Sequence, residues 1–340
     1  MENPITAVTN VSSKNGPIFK ILLCGFLGLL LLIPASMIED LVSGRNQLKI
    51  AATNEISSKW GSSTTLAGPV LSIPYSAKED QVVAVGNGIQ TVRTVSKTRY
   101  LHILPNDLSY DTSIEPSVRS RGIYDVVVYR SSNSVKGSFE LSDIAPLFEK
   151  RGTPDYAHAI VTLGFSDSKG IENIGKLGLG GKEFEFVPGS AIRGVLPNGT
   201  SATVDLSAMS GSVAFSTDVS VRGSEWIKYL PLGKSTVVKT SSAWANPSFD
   251  GAFLPTERKV DDKGFSAVWK VLDYNRDFPQ YWDDDAYSLG YVNSGVAYDG
   301  GDSWDPYGNT RMKYATPVSE SGVSASVNLG SSAFGVSLKQ

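Results

Sequence analysis

The sequence has very few of the residues that build metal sites, disulfides and acid–base catalytic centres. Its 340 residues include one cysteine, Cys24, and two histidines, His102 and His158. One cysteine excludes an internal disulfide, and a zinc site usually needs three or four nitrogen or sulfur ligands. The sequence also lacks a G-x-S-x-G nucleophile motif. Both histidines are therefore interpreted as structural, and no cofactor, metal or catalytic residue is predicted.

Positive charge is neither abundant nor clustered. Lysine and arginine number 31 against 34 acidic residues, which gives a net charge of -3 and a pI near 5.6. Nucleic-acid binding requires a basic surface that this composition does not provide, so that class of function is excluded. The hydrophobic content of 41% is ordinary for a chain that buries a core. The chain is therefore expected to fold by packing alone.

One long apolar run is present, Ile18 to Ile38, and Lys20 is its only charged residue. As a helix, its 21 residues would extend roughly 30 Å, which is enough to cross the hydrocarbon core of a bilayer. Lys14 and Lys20 lie at its start, and Glu39 follows it. Because basic residues stay on the cytoplasmic side, residues 1–17 are predicted to be cytoplasmic, residues 18–38 to span the inner membrane, and the rest to be periplasmic.

A cleaved signal peptide is the alternative interpretation of the same run. The apolar part of a signal peptide has about 7–15 residues, whereas this run is longer, and Pro34 to Met37 makes a poor cleavage site. An uncleaved anchor is therefore favoured. The helix is predicted to continue out of the membrane over residues 39–61, where Gly61 can end it, because large apolar and alanine side chains recur at every fourth position. These residues are Leu48, Ala52, Ile56 and Trp60.

After residue 61 the hydrophobic pattern changes to short alternating runs typical of half-buried strands. Two such runs, Tyr124 to Arg130 and Val135 to Leu141, flank Ser131 to Ser134, which favours a hairpin with a polar turn. Further strands are predicted at 157–165, 183–186, 202–206, 212–215, 218–221, 236–240 and 265–271. The fold class is predicted as mainly β, with residues 62–340 forming a sandwich-like and chiefly antiparallel domain.

Residues 277–310 form an acidic and aromatic tract that contains no lysine or arginine. Its most acidic loop, Asp299 to Asp305, could attract a weakly bound cation or a partner through Asp299, Asp302, Trp304 and Asp305. The regular D-x-D-x-D-G calcium loop is absent. A solvated loop whose aromatic rings pack on the sheet is the favoured interpretation, and a partner-binding or glycan-stacking surface is the alternative.

Several strings along the chain occur in the same order as in one bacterial protein family. They are Met37–Val42, Glu55–Ser57 with Trp60–Gly61, Leu66–Tyr75, Arg121–Tyr124, Phe165–Ile171, Pro231–Thr236, Trp244–Pro255 and Gly264–Trp269. The series resembles the CreD family of inner membrane proteins, also described as cell envelope integrity proteins. The resemblance implies a periplasmic domain held by an N-terminal helix and followed by further membrane helices, so the chain is expected to be a piece of a longer protein.

The resemblance supplies no catalytic residues. It implies a structural or interaction role in cell envelope integrity, with the lipid bilayer and an unidentified envelope protein or glycan as partners. The alternative is an exported hydrolase that uses a pair of carboxylates on envelope glycan. Trp244, Pro247, Phe249 and Phe253, in the longest shared string, are interpreted first as scaffold, because the prolines restrict the backbone and the rings can bury apolar area. A docking surface formed by these four residues is the alternative.

Overall fold

The structure is a computed structural model that describes residues 16–84, 90–192, 196, 198–276, 278–283, 289–291, 312–314 and 332–338. Its contacts divide the chain into two units, Met1–Glu55 and Ile56–Gln340. The first unit holds most of one long helix, and the strands lie in the second unit. The prediction of a mainly β fold with few helices is confirmed.

The first helix, α1, runs without interruption over Gly16–Trp60. Its 45 residues would extend about 68 Å at 1.5 Å per residue. In the part of the chain that the structure describes, α1 is the one helix whose length and composition suit a membrane crossing. The predicted membrane segment and the predicted helix after it therefore lie in one continuous helix. Among the described residues the other α-helix, α2, is the short Ala145–Phe148, and 3₁₀ turns occur at Tyr156–His158, Ser168–Gly170 and Asp273–Asn275.

The strands are numbered in chain order. The first seven are β1 (Thr64–Ala84), β2 (Gln90–Ile103), β3 (Asp107–Arg121), β4 (Tyr124–Glu140), β5 (Thr153–Pro154), β6 (Ala159–Phe165) and β7 (Ile171–Ile174). The next seven are β8 (Leu177–Leu179), β9 (Lys182–Phe184), β10 (Val187–Pro188), β11 (Gly199–Val204), β12 (Ser212–Ser224), β13 (Trp226–Tyr229) and β14 (Ser235–Ser242). The last seven are β15 (Ser248–Gly251), β16 (Glu257–Asp261), β17 (Gly264–Leu272), β18 (Tyr281–Asp283), β19 (Leu289–Tyr291), β20 (Met312–Tyr314) and β21 (Phe334–Ser337).

Two large sheets contain nearly all of these strands. The ten-stranded sheet follows the order β10-β11-β6-β1-β13-β21-β15, with β2 and β5 on β1 and β18 on β2. The nine-stranded sheet follows the order β16-β17-β14-β3-β4-β12-β8-β9, with β7 on β12, and β19 pairs with β20 separately. Most pairs are antiparallel, as predicted, but β1 with β13 and β3 with β14 are parallel. Both parallel pairs join strands that are far apart in sequence. The alternation of residues within each strand does not indicate such a pairing.

A row of buried aromatic rings joins the two sheets. Tyr110 of β3 lies 5.2 Å from Tyr229 of β13, and Phe334 of β21 lies 5.7 Å from Trp269 of β17, between ring centroids. The Tyr110 hydroxyl donates to the Gly68 carbonyl, and the Tyr229 hydroxyl donates to Thr112 Oγ1 at 2.8 Å. Burial raises the pKa of both tyrosines above the ordinary value, so both hydroxyls remain neutral donors inside the core.

The predicted hairpin around Ser131 to Ser134 is wrong, because β4 continues through these residues as one strand. Asn133 is buried there, and its side-chain amide donates to the Val219 carbonyl at 3.0 Å and to Ser131 Oγ at 3.1 Å. Thr112 Oγ1 donates to Asn133 Oδ1 at 2.9 Å. Neighbouring strands thus satisfy the polar groups that would otherwise favour a turn.

Helix α1 ends at Trp60, directly before Gly61, and its last turn contacts the nine-stranded sheet. Gly61 has a φ of +149°, and a Cβ there would approach the Arg222 carbonyl oxygen to 2.6 Å, so both backbone conformation and space favour glycine. The Trp60 indole N–H donates to the Tyr129 carbonyl at 3.3 Å. The guanidinium groups of Arg119, Arg130 and Arg222 lie 4.7–5.5 Å from the Trp60 ring centroid. These contacts fix the end of α1 on strands β3, β4 and β12.

Asp167 fixes the chain immediately after α1. Its carboxylate accepts the Ser62 N–H at 3.0 Å and the Lys169 N–H at 2.9 Å. Partial burial alone would raise the pKa of Asp167, but the two N–H donors lower it by more, so the pKa lies below its ordinary value. A carboxyl group of this kind stabilises the fold above its unfolded pKa, and the stabilisation is lost as pH falls through the folded pKa.

We therefore expect Asp167→Asn to lower the free energy of unfolding by about 1 kcal/mol at pH 7. The difference from the parent protein should shrink as the pH is lowered below about 4, because the Asp167 carboxyl group of the unfolded chain then takes up a proton more readily than that of the folded chain. Urea unfolding in detergent, followed by tryptophan fluorescence at pH 7 and pH 3.5, measures both values. An equal difference at both pH values would contradict this account of Asp167.

Candidate functional site

The segment between β14 and β16 crosses from one sheet to the other and returns. It leaves the nine-stranded sheet at Ser242, adds β15 to the edge of the ten-stranded sheet beside β21, and returns to β16. The crossing starts with a turn in which the Trp244 backbone N–H donates to Ser242 Oγ at 3.2 Å. The Trp244 indole N–H donates to the Asn246 carbonyl at 2.9 Å. Trp244 and Pro247 are half-buried, so each keeps part of its surface open to solvent.

Phe249 and Phe253 face the core from this segment. The Phe249 ring packs edge-on against Phe265 and Trp269 of β17, with both centroid distances 5.7 Å. The Phe253 ring packs edge-on against Phe334 of β21 at 5.8 Å. The Trp269 indole N–H donates to the Phe253 carbonyl at 3.2 Å. Since edge-to-face pairs contribute about 0.5–1.5 kcal/mol beyond area burial, these two rings stabilise the junction of the sheets.

A shallow groove of about 690 Å³ lies where β14 ends. Its walls are Ser113 to Pro116 of β3, Ser241 to Ala243 at the end of β14, Lys263 and Phe265. Phe265 is the ring against which Phe249 packs, so the groove adjoins the Trp244–Pro255 segment. Glu115 and Lys263 are its charged lining residues, and no second carboxylate occurs among the described residues that line it. The groove can receive an extended chain but lacks the paired carboxylates that glycoside hydrolysis needs.

The pairing of β3 with its neighbouring strand β14 ends at the groove. Its pairing with β14 ends at Ile114, opposite Ser242, whereas its pairing with β4 continues to Arg121. The alternation of buried and exposed residues along β3 stops at the same place, and residues 117–121 are all exposed. Pro116 fits this position because proline, which has no N–H, is tolerated at a sheet edge. Residues 115–121 therefore form an open strand edge in the described part of the chain, which we name the β3 edge.

The start of the acidic aromatic tract is fixed to the ten-stranded sheet. Asp283 accepts hydrogen bonds from the Tyr75 hydroxyl at 3.0 Å and from Arg151 Nε at 2.8–2.9 Å. Burial, followed by the neighbouring Asp283 carboxylate, raises the pKa of Tyr75 to about 12, so Tyr75 stays a donor at neutral pH. Asp299, Asp302, Trp304 and Asp305, the predicted partner or cation loop, lie outside the described residues.

Both histidines have local hydrogen-bond partners. Ser72 and His102 are buried on paired strands, with Ser72 Oγ 2.8 Å from His102 Nδ1, and the Trp282 ring lies 5.3 Å from the imidazole. His158 Nδ1 lies 2.7 Å from Asp155 Oδ2 on the surface. Among the described residues, no group of three or more His, Cys, Asp or Glu side chains could hold a metal ion. The Ser72–His102 pair lacks access for a substrate, so it is interpreted as a packing contact.

Sequence reasoning did not anticipate the β3 edge. Its position depends on β14, which lies more than a hundred residues further along the chain, and on the end of β14 at Ser242. One local signal was available, because Pro116 interrupts a run of strand-forming residues and a proline inside such a run indicates an edge. None of the four predicted docking residues lines the groove. Trp244, Phe249 and Phe253 pack against the core, and Pro247 is half-buried.

Comparison with known proteins gives one extensive family match. A family model described as "Inner membrane protein CreD" matches residues 16–316. Among curated proteins, inner membrane protein CreD of Escherichia coli (strain K12) is 27% identical over 256 residues, which cover 71% of this chain and 52% of the relative. The chain thus spans about half the length of that curated relative.

A solved structure also aligns, but weakly. It comes from Parabacteroides distasonis ATCC 8503 and is described as a "putative protease". The alignment covers 68% of this chain and 40% of that chain, with 10% sequence identity and a TM-score of 0.26. A score at this level supports no inference about fold or activity.

Proposed function

Because this chain belongs to the CreD family of inner membrane proteins, we propose that its β-rich part is an interaction domain of the cell envelope, tethered to the inner membrane by α1. Residues 18–38 cross the bilayer, residues 1–17 are cytoplasmic, and residues 62–340 are periplasmic. The charge difference across the apolar run supports this orientation, since Lys14 and Lys20 precede Glu39 and Asp40. The domain acts by binding an envelope protein or glycan and carries out no catalysis.

The observation that carries the proposal is the groove at the end of β14. It combines an open strand edge at Glu115 and Pro116 with Lys263 and the Phe265 ring, and the half-buried Trp244 directly follows its lining residue Ala243. Aromatic and backbone groups of this kind bind extended chains by adding a strand and filling adjacent pockets. The carboxylate pair that the hydrolase alternative requires is missing from the described lining, where Glu115 and Lys263 are the charged residues.

Site-specific photo-crosslinking in living cells tests this function. A photoreactive amino acid is placed at Lys263, which lines the groove, and in a matched variant at Tyr274, which is 89% exposed. Tyr274 lies beyond the other end of β17, and a nine-residue strand spans about 30 Å. We expect a discrete crosslinked product from the Lys263 position, little or none from Tyr274, and loss of the Lys263 product by at least about tenfold in Trp244→Ala, the loss typical of an aromatic hot-spot residue.

The identity of the captured molecule tests both parts of the proposal. An envelope protein or glycan with periplasmic groups supports the orientation and the interaction role together. Capture of cytoplasmic proteins alone would reverse the predicted topology. Equal products from Lys263 and Tyr274, with no effect of Trp244→Ala, would show that the groove does not bind a partner. Unchanged near-ultraviolet circular dichroism of Trp244→Ala apart from the lost indole signal confirms that the domain is folded.

A further inference from the structure

The β3 edge exposes backbone hydrogen-bonding groups in a defined order. The Asn106 carbonyl accepts the Ser235 N–H at 2.9 Å, so it faces β14. Successive residues of a strand point their N–H and C=O groups to opposite sides, and β3 pairs without register shifts from Asp107 onward. The even-numbered residues therefore face the side that β14 occupies. Beyond Ile114 that side is open, which leaves the N–H and C=O of Val118 and Ser120 and the C=O of Pro116 without a neighbouring strand in the described chain.

The side chains of the β3 edge are complementary to those of a second copy of the same edge that runs antiparallel to it. Residues 115–121 read Glu-Pro-Ser-Val-Arg-Ser-Arg. In an antiparallel pair of two copies centred on Val118, Glu115 of each copy lies opposite Arg121 of the other. Opposite charges on directly opposed residues stabilise a strand pair. The two Val118 side chains, each 49% exposed in the single chain, would meet on the symmetry axis and cover each other.

The same register also pairs the exposed backbone groups of the two strands and accommodates Pro116. The Val118 N–H of each copy would donate to the Val118 carbonyl of the other, and each Ser120 N–H would donate to the Pro116 carbonyl of the other. Pro116 has no N–H, so it acts here only as an acceptor. A register shifted by one residue would move Val118 off the axis and would break the opposition of Glu115 and Arg121.

We propose that a second copy of this chain occupies the β3 edge, and that two copies join the nine-stranded sheets of two domains through an antiparallel β3 pair. The pairing extends beyond the proposed function, because it needs no other envelope molecule, and it shares Glu115 and Pro116 with the groove. A two-fold arrangement is the ordinary way in which one surface patch binds its own copy. A tether in one membrane raises the local concentration of domains and favours a contact as small as one strand.

Cysteine crosslinking of the full chain in membranes tests the register. In a Cys24→Ser background, Val118→Cys places two thiols on the symmetry axis, where Cα atoms about 5.5 Å apart suit a disulfide. The matched control is Ile123→Cys, because Ile123 is 81% exposed but lies five residues from the axis. The two Ile123 positions would be about 33 Å apart in the pair. We expect oxidation to convert most of Val118→Cys into a covalent homodimer and to leave Ile123→Cys monomeric.

Charge reversal gives a second, independent measurement. Glu115→Arg in the Val118→Cys protein should reduce the homodimer yield about three- to tenfold, because arginines then oppose one another in both halves of the pair. Combining Glu115→Arg with Arg121→Glu should restore the yield. All of these positions are exposed, so the variants are expected to fold.

The proposal is overturned if Val118→Cys forms no more homodimer than Ile123→Cys, or if the double charge reversal fails to restore the yield. A Val118→Cys disulfide to a different protein would identify another occupant of the edge and would also overturn it. The test is separable from that of the proposed function. A lost homodimer with an intact crosslink from Lys263 to a different molecule refutes only the pairing, and a homodimer without a crosslink from Lys263 to a different molecule refutes only the groove partner.

Discussion

Trp269→Ala is expected to lower the free energy of unfolding by about 3–5 kcal/mol, the range observed for removal of a large buried ring. The Trp269 side chain has no exposed surface. It contacts Phe249 of the crossing segment and Phe334 of the opposite sheet, with ring centroids 5.7 Å away in both cases. Its indole N–H also donates to the Phe253 carbonyl. The substitution therefore leaves a cavity and an unpaired carbonyl at the junction of the two sheets.

Chemical denaturation of the detergent-solubilised chain measures this loss, with circular dichroism as the signal. Tyr274→Ala is the matched control, because Tyr274 is 89% exposed and a surface change of this kind usually alters stability by less than about 0.5 kcal/mol. A Trp269→Ala protein as stable as Tyr274→Ala would refute the packing described for the sandwich. It would also remove the structural explanation for the Trp244–Pro255 segment, whose Phe249 ring packs on Trp269.

Gly251→Ala is expected to lower the free energy of unfolding by about 2–4 kcal/mol, through backbone strain and overpacking together. Gly251 ends β15 with a φ of +113°, which residues with a Cβ rarely adopt. A Cβ at this position would lie 2.4 Å from the Ala333 carbonyl oxygen and 2.6 Å from Phe334 Cα. Both contacts are backbone atoms of the neighbouring chain segment, so no side chain can rotate away to make room.

Gly189→Ala separates the two contributions. Gly189 has a similar φ of +115°, but a Cβ there would meet no atom within 4 Å. The Gly189 variant should therefore show only the cost of strain, about 1–2 kcal/mol, and the excess at Gly251 measures the close approach of β15 to β21. Both values come from the same denaturation experiment. If Gly251→Ala costs no more than Gly189→Ala, the close packing of β15 on β21 is contradicted.

These two predictions concern residues whose importance the sequence indicated only in part. The Trp244–Pro255 string predicted a packed scaffold because it combines prolines, a glycine and large rings. Phe249 and Phe253 do pack inward, while the docking role of Trp244 and Pro247 remains a prediction. The partners of those rings, Trp269 and Phe334, come from distant strands. No local pattern pairs Phe253 with Phe334, because the contact exists only once β15 and β21 are neighbours.

The Ser131–Ser134 region shows the limit of local signals most directly. Four polar residues in a row favour a turn when the unfolded chain is their only context. In the fold, Thr112, Val219 and Val221 supply hydrogen-bond partners from both adjacent strands. Tertiary hydrogen bonds thus outweigh turn propensity, and β4 continues as a strand. The partners are separated from Asn133 by 21 and 86 residues, beyond any window that sequence periodicity can sample.

The sequence by itself determined the apolar helix near the N-terminus, the β-rich character of the remainder and the family to which the chain belongs. These features depend on composition, short-range periodicity and the order of the strings that resemble the family, all of which are properties of the linear chain. Tertiary structure alone decided which strands are neighbours, that β14 runs parallel to β3, and that it stops at Ser242 opposite Ile114. The β3 edge exists because the two strands differ in length beyond that point, and strand pairing between distant segments is set by the packing of the whole domain.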